Sequence, residues 1–315
     1  MNYLFLALFL FLIEVIYIRI AVKLFIIDNP NSRSSHEIPT IRGGGIVIWF
    51  AGLAYFIISF PGNIFFFAGL TIVAATGLAD DIKPRSPLFR LTGQIIAVSL
   101  ILLQVFHFEP QSSSDLTPHP ASLHPTSLML IIIAAYILFT GILNAYNFMD
   151  GINGMTGLYS ISVLGALQYV NLNVMRLTEP DFIRFPVIAC TVFLFFNLRK
   201  KALCFAGDTG SLAIAFWIIY IILMLIIKTG SIAWLLFLAV YGADSVFTIL
   251  HRLWLRQNIF RAHRLHFYQI LANEKDIDHR IVSAAYAVVQ AAISASVIVL
   301  WDKWPLCLLA GVVLV

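Results

Sequence analysis

The chain has 315 residues, 60% of them hydrophobic and 11% charged, with a mean hydropathy of +0.91 and a formal net charge of +4. A soluble domain carries about 25% charged residues, so this composition excludes a soluble protein and reads as a polytopic membrane protein. The three cysteines, Cys190, Cys204 and Cys307, are scattered, match no metal or redox spacing, and read as small apolar filler.

A spanning helix needs roughly 20 apolar residues. The apolar runs predict an all-α bundle of about ten transmembrane helices, near 2–22, 45–60, 63–79, 91–107, 128–146, 155–171, 183–198, 209–227, 231–250 and 281–300. No basic residue precedes the run Tyr3 to Ile13 and no small-residue cleavage pattern follows it, so it reads as a first span and not as a signal peptide. Residues 1–315 are expected to form a single integral-membrane domain, with long connections only at 107–127 and 251–280. The apolar tail 304–315 covers about 18 Å as a helix. It reads as a half-inserted helix or a short eleventh segment.

Lys and Arg fix the orientation. Sixteen of the 20 fall on one set of loops, and only Arg176, Arg184, Lys228 and Lys303 on the other. The basic set is expected to be cytoplasmic. The segment 107–127 lacks Lys and Arg and is expected outside; its His107, His119 and His124 match no metal spacing and read as a solvated loop.

The polar clusters then gather on the cytoplasmic side. In chain order, the loop 28–45 offers Arg33, His36 and Arg42 before three glycines. Asp80-Asp81 ends the third helix; adjacent carboxylates can bind a divalent cation, accept a proton, or cap the next turn. Asn144, Asn147, Asp150 and Asn153 have i, i+3 spacing, expected to place them on one helical face between two apolar runs. Hydrocarbon does not tolerate so many polar groups unless protein or water satisfies them. Arg199-Lys200-Lys201 reads as a headgroup anchor. Phe205 to Ser211 (F-A-G-D-T-G-S) makes a Gly-rich entry to a helix N-terminus, which suits a phosphate, and Asp208 is a natural Mg²⁺ ligand. Asp244, several residues inside the ninth helix, reads as a buried partner for an arginine. His263-Arg264-Leu265-His266 offers three cations within four residues, suited to a diphosphate, with a His/Arg-rich surface loop as the alternative. Together these groups fit phosphoryl transfer from a nucleotide to a membrane lipid, where catalysis is mostly positioning and charge stabilisation.

Five ordered stretches between residues 28 and 270 give the chain a resemblance. They are P-N-S-R-S-S-H-E-I-P-T-I-R-G-G-G (30–45), G-L-A-D-D (77–81), N-A-Y-N-F-M-D-G-I-N-G (144–154), F-N with F-A-G-D-T-G-S (196–211), and A-H-R-L-H-F-Y-Q (262–269). The chain resembles the polyprenyl-phosphate N-acetylhexosamine-1-phosphate transferases, glycosyltransferase family 4. The resemblance implies a Mg²⁺ site at Asp208 and Asn147, with Mn²⁺ as a substitute. It implies that Asp80 and Asp81 serve the lipid phosphate or the metal, and that Phe205 stacks on uracil. Asn197 and Asp150 would line the nucleoside pocket, and His263, Arg264 and His266 would contact the pyrophosphate. Arg42 and Asn144 complete the expected substrate-binding set. Pro39-Thr40-Ile41 stands where the family has Pro-Thr-Pro. The His-Arg-Leu-His loop looks like that of initiators of O-antigen and capsule that use UDP-6-deoxy-N-acetylhexosamines, and argues against the MurNAc-pentapeptide enzyme without excluding UDP-GlcNAc.

The expected protein is therefore a bacterial inner-membrane enzyme. It would move HexNAc-1-phosphate from a UDP-N-acetylhexosamine to undecaprenyl phosphate and release UMP, with membrane lipid around it, a homodimer as its expected assembly and no nucleic-acid partner. A transporter is the rival, but transporters place polar groups near the midplane. A scaffold leaves the one-sided aspartates unexplained.

Overall fold

The structure is a computed structural model that describes residues 2–30, 34–59, 62–108, 125–258 and 263–303. Arg33, His119, His124, Arg261, Cys307 and the tail 304–315 lie outside these residues.

The described chain is almost wholly helical. The helices are α1 (Tyr3–Lys23), α2 (Ile46–Ser59), α3 (Ile64–Ile82), α4 (Pro87–Phe108), α5 (Pro125–Met149), α6 (Met155–Tyr169), α7 (Pro180–Asn197), α8 (Gly207–Thr229), α9 (Ala239–Trp254), α10 (Phe267–Asn273) and α11 (His279–Leu300). Each of the ten expected spans is present as α1–α9 or α11, while the seven-residue α10 was not expected. Among the described residues, eight segments are long and apolar enough to cross a membrane. The other two are α2, with 14 residues, and α6, which a π-helical turn continues to Val174.

Local chemistry sets the helix ends. Asn2 caps α1 by accepting from Leu4 N, 3.0 Å. Pro180 starts α7, where its missing N–H costs nothing. Gly230 closes α8 in the left-handed region, φ +67°.

α8 is the axle of the bundle. Every residue from Gly207 to Leu225 is buried, and α2, α3, α5 and α6 pack around it. An apolar helix buried on all faces belongs at the centre of a membrane bundle. At its N-terminus the packing is backbone to backbone: a methyl on Gly45 would overlap Gly210 Cα, and one on Gly77 would lie 2.6 Å from the Asp208 carbonyl.

Contacts define two ends. At one, Arg184 pairs with Asp181 (3.3 Å) and donates to Tyr3 Oη (2.6 Å), while Lys228 donates to the Arg176 carbonyl (2.5 Å). This end gathers Arg176, Arg184 and Lys228 of the sparsely basic set. The opposite end holds the remaining polar clusters. There a two-stranded antiparallel ribbon, β1 (Ile27–Asp28) with β2 (Thr40–Ile41), pairs Ile27 with Ile41 and Asp28 with Thr40. Ile41 also bridges Cys204 in parallel, tying the first loop to the entrance of α8.

Candidate active site

The entrance of α8 organises the site. Gly207 has φ +67°, a conformation other residues rarely adopt, and a methyl there would strike the Asp81 carboxylate. Asp81 of α3 is fully buried at its side chain and accepts from Asp208 N (3.1 Å), Thr209 N (3.0 Å) and Thr209 Oγ1 (2.7 Å). It satisfies the free N–H groups of α8 and complements its positive end from another helix. Of the roles open to Asp81, its contacts show capping, but of a helix entrance more than a hundred residues away and not of the next turn.

Asp80 differs. Its Oδ1 accepts from Arg85 N at 2.7 Å, and its Oδ2 lies 3.9 Å from Arg90 Nη1. The same Nη1 lies 3.2 Å from Asp208 Oδ2. Arg42 completes the group, with Nε 3.3 Å from Asp81 and Nη2 3.5 Å from Asp208. Burial works against the Arg42 charge, but Asp81, Asp208, Asp28 and Asp80 outweigh it and raise its pKa. Three carboxylates and two guanidiniums thus converge from α3, α4, α8 and the first loop. Arg90 was not foreseen as a site residue. α4 begins at Pro87, earlier than expected, which puts Arg90 within its first turn facing the aspartates.

Among the described residues no three His, Cys, Asp or Glu side chains converge as a metal cage. Mg²⁺ is usually held by one or two carboxylates with substrate phosphates and water, so it does not need one. The donors present fit it. One guanidinium nitrogen of Arg90 lies within 3.9 Å of both Asp80 and Asp208, so these two carboxylates stand close enough to share one positive charge. Asn147 lies beside α8, its Nδ2 donating to Ser211 Oγ at 3.3 Å, so Oδ1 is the atom it offers to a cation.

The expected single face from Asn144 to Asn153 is also corrected. α5 ends at Met149, so only Asn144 and Asn147 share its face. Asn144 is held by Gln94 of α4 (3.0 Å) and by the Thr140 carbonyl (2.7 Å). Asp150 lies on the following turn and accepts from Thr156 Oγ1 at 2.6 Å. Burial foremost, with the charges of Asp81 and Asp208, pushes Asp150 up to about 7 against the pull of Thr156 and Arg42. Asn153 Nδ2 donates to the Arg199 carbonyl, 2.8 Å. Asn197 is buried and shapes the backbone: it accepts from Gly154 N (2.6 Å) and donates to the Cys204 carbonyl (2.9 Å).

A polar cavity of about 120 Å³ opens beside this group. Phe205, Asn197 and Asp150 line it, together with Asp28 and His36 of the first loop and Gln269 of α10. The Phe205 ring meets His36 edge-on, centroids 4.8 Å apart. The sequence offered His36 as a cationic donor of the first loop; the structure sets its ring against Phe205.

The histidine loop folds back onto the same end. Tyr268 Oη donates to the Phe148 carbonyl at 2.8 Å, and the His266 ring lies 6.2 Å from that of Phe148, next to Asn147. Asp244 anchors the loop. His266 Nδ1 lies 3.0 Å from its Oδ1, Tyr286 Oη donates to its Oδ2 at 2.6 Å, and Phe267 N and Tyr268 N donate to it at 3.0 and 3.2 Å. The partner expected for Asp244 was an arginine; the structure supplies a histidine, a tyrosine and two amides. The three-cation reading of the loop changes accordingly. Burial first, then His266 and Arg252, lowers His263 to about 4, so it is neutral near pH 7. His266 is buried and committed to Asp244. Arg264, half-buried, is left as the loop's fixed cation.

Glu14 was also unforeseen. It is fully buried in α1, its Oε1 accepts from Cys204 Sγ at 3.2 Å, and its Oε2 has no partner among the described residues. It packs under Gly44 and Cys204, behind both loops that form the site.

The fold and site define a polytopic membrane protein with a carboxylate–guanidinium centre and a polar cavity at one end of the bundle. The sequence profile of glycosyl transferase family 4 matches residues 63–226, a stretch running from α3 through Asp80, Asp150 and Asp208. The chain belongs to this family. It is 26% identical over 294 residues to a Bacillus subtilis protein named "Probable undecaprenyl-phosphate N-acetylglucosaminyl 1-phosphate transferase", covering 90% of this chain and 79% of that one. It is 26% identical over 252 residues to the decaprenyl-phosphate N-acetylglucosaminephosphotransferase of Mycobacterium leprae, covering 73% of this chain and 60% of the relative. With the phospho-N-acetylmuramoyl-pentapeptide-transferase of Campylobacter jejuni it shares 31% over 245 residues, 67% of this chain and 66% of the relative. The chain thus spans less than two thirds of the length of the latter two relatives.

Proposed function

We propose that the protein transfers N-acetylhexosamine-1-phosphate from a UDP-sugar to undecaprenyl phosphate and releases UMP, at the cytoplasmic face of a bacterial inner membrane. The observation that carries the reading is the convergence of Asp80, Asp81 and Asp208 with Arg42 and Arg90 beside the cavity of Phe205. The sugar is GlcNAc or a 6-deoxy relative: two of the relatives above are named for N-acetylglucosamine, and the His-Arg-Leu-His loop looks like that of initiators that use 6-deoxy sugars. The product would start a lipid-linked surface polysaccharide.

In this reading the cavity takes the nucleoside, with Phe205 against the base, and Arg42, Arg90 and Arg264 face the diphosphate. Asp208 and Asn147 would hold Mg²⁺, which supplies charge neutralisation for the diphosphate when bound. An oxygen of the lipid phosphate forms a bond to the sugar-bearing phosphorus. The bond from that phosphorus to the bridging oxygen breaks, and UMP leaves with the oxygen. The nucleophile is already anionic, so no strong base is required, and Asp80 would take a residual proton. Attack is direct, without a covalent aspartyl intermediate.

The test is purified protein with undecaprenyl phosphate and a panel of UDP-sugars, with and without a chelator, reading UMP. UMP from UDP-GlcNAc or a 6-deoxy analogue, lost on chelation and restored by Mg²⁺, is the expected result. Failure of every donor would overturn the proposal.

A further inference from the structure

We propose that His36 reads the base of the donor nucleotide, its Nε2 hydrogen-bonding the edge of a uracil-type ring in the cavity it shares with Phe205. The inference rests on the UDP-sugar reading above and adds to it a specificity-determining residue.

Three observations converge. First, His36 lines the polar cavity beside Phe205, Asp28 and Gln269. At about 120 Å³ this space is small against the roughly 300 Å³ or more of pockets that enclose a whole ligand, and suits one aromatic ring at the end of a larger molecule. Second, the two rings meet edge-on, centroids 4.8 Å apart and planes at 62°, so a flat base packed on Phe205 lies within reach of the imidazole edge. Third, His36 Nε2 is buried with no hydrogen-bond partner among the described residues. Buried polar atoms are nearly always paired, and an orphan on a residue that lines a cavity points to a group supplied from outside the chain.

The loop carrying His36 is not left to drift. Asn273 Nδ2 of α10 donates to Ser35 Oγ at 3.0 Å, and the ribbon of β1 and β2 fixes both flanks. The imidazole is therefore presented by a held backbone. A neutral imidazole nitrogen is either a donor or an acceptor according to tautomer. A pyrimidine dione offers both counterparts on one edge, carbonyl oxygens and an imide N–H. Cytosine replaces one carbonyl with an amine, and a purine adds a second ring.

The experiment titrates UMP, CMP and AMP into the full-length protein in detergent, and into His36→Ala, His36→Phe and His36→Asn. Melting temperatures report folding, and donor KM and kcat are measured alongside. The unsubstituted protein should prefer UMP over AMP and CMP. His36→Ala and His36→Phe should weaken UMP by about tenfold, the scale of one lost hydrogen bond, and raise donor KM more than they lower kcat. His36→Asn should recover part of the loss. His36→Phe keeps a ring and removes the nitrogen, so it separates reading from packing. UMP bound by His36→Phe as tightly as by the unsubstituted protein would overturn the proposal, as would an unsubstituted protein that does not prefer UMP. Selective UMP binding with no UMP released from any UDP-sugar would sink the transferase reading alone and leave the role of His36 to the titrations.

Discussion

Asp81 and Asp208 share one cluster but bear different loads. Asp81 holds two amides, a hydroxyl and Arg42 with its side chain unexposed, whereas the Asp208 carboxylate, among the described residues, meets guanidiniums. Removing one member of a buried, hydrogen-bonded charge set costs about 3–5 kcal/mol. Asp81→Ala should therefore lower the melting temperature by many degrees, while Asp208→Asn should melt near the unsubstituted protein yet lose turnover at least about a hundredfold, because metal neutralisation is worth several kcal/mol. Equal melting of the two variants would put them in the same role. Sequence pairs Asp80 with Asp81 by adjacency, and adjacency cannot show which carboxylate a distant helix end will claim. His263 gives a second test. Its folded-state value near 4 lies below the ordinary 6.5, so between those values the unfolded chain binds more protons. Stability should then rise with pH across that window, and be lost as pH falls from about 6.5 towards 4. Part of the acid slope in melting temperature should vanish in His263→Asn; an unchanged slope would mean that His263 is not held neutral.

At the scale of elements, hydropathy made the ten long helices legible because lipid leaves few alternatives to a helix. The errors fall where that constraint ends. α5 stops at Met149, moving Asp150 off its face, and α10 forms in the loop 251–280 because Asp244 meets its first amides. A seven-residue helix carries no usable periodicity, and its anchor lies more than twenty residues upstream. The glycine contact between α2 and α8 was equally hidden, since glycines in a loop read first as turns. Gly210→Ala should force these helix ends apart, at the 1–3 kcal/mol typical of overpacking or above it. Because Asp208 sits on the displaced turn, activity should fall further than the melting temperature implies. A variant as active as the unsubstituted protein would show that the two ends can slide.

For the whole molecule, the charge asymmetry read from sequence survives as two physical ends, with Arg176, Arg184 and Lys228 at one and the aspartate cluster at the other. With Cys307 replaced by serine, and Cys190 and Cys204 buried, single cysteines can report sidedness. Arg264→Cys should react with an impermeant maleimide in inside-out vesicles and Arg176→Cys in right-side-out ones; the reverse pattern would invert the topology. Glu14 bears on how this molecule is made. α1 precedes α8 in the chain, and its acidic residue meets the bilayer long before Cys204, 190 positions later, has been synthesised. An acidic group at mid-helix opposes insertion by about 2.5–3.5 kcal/mol, a load that the strong hydropathy of α1, 2.5, can carry. During synthesis, then, the first helix enters the membrane with its carboxyl group uncovered. It acquires its seat on Cys204 only when the entrance of α8 has been made, so α1 closes onto that entrance well after it enters the membrane.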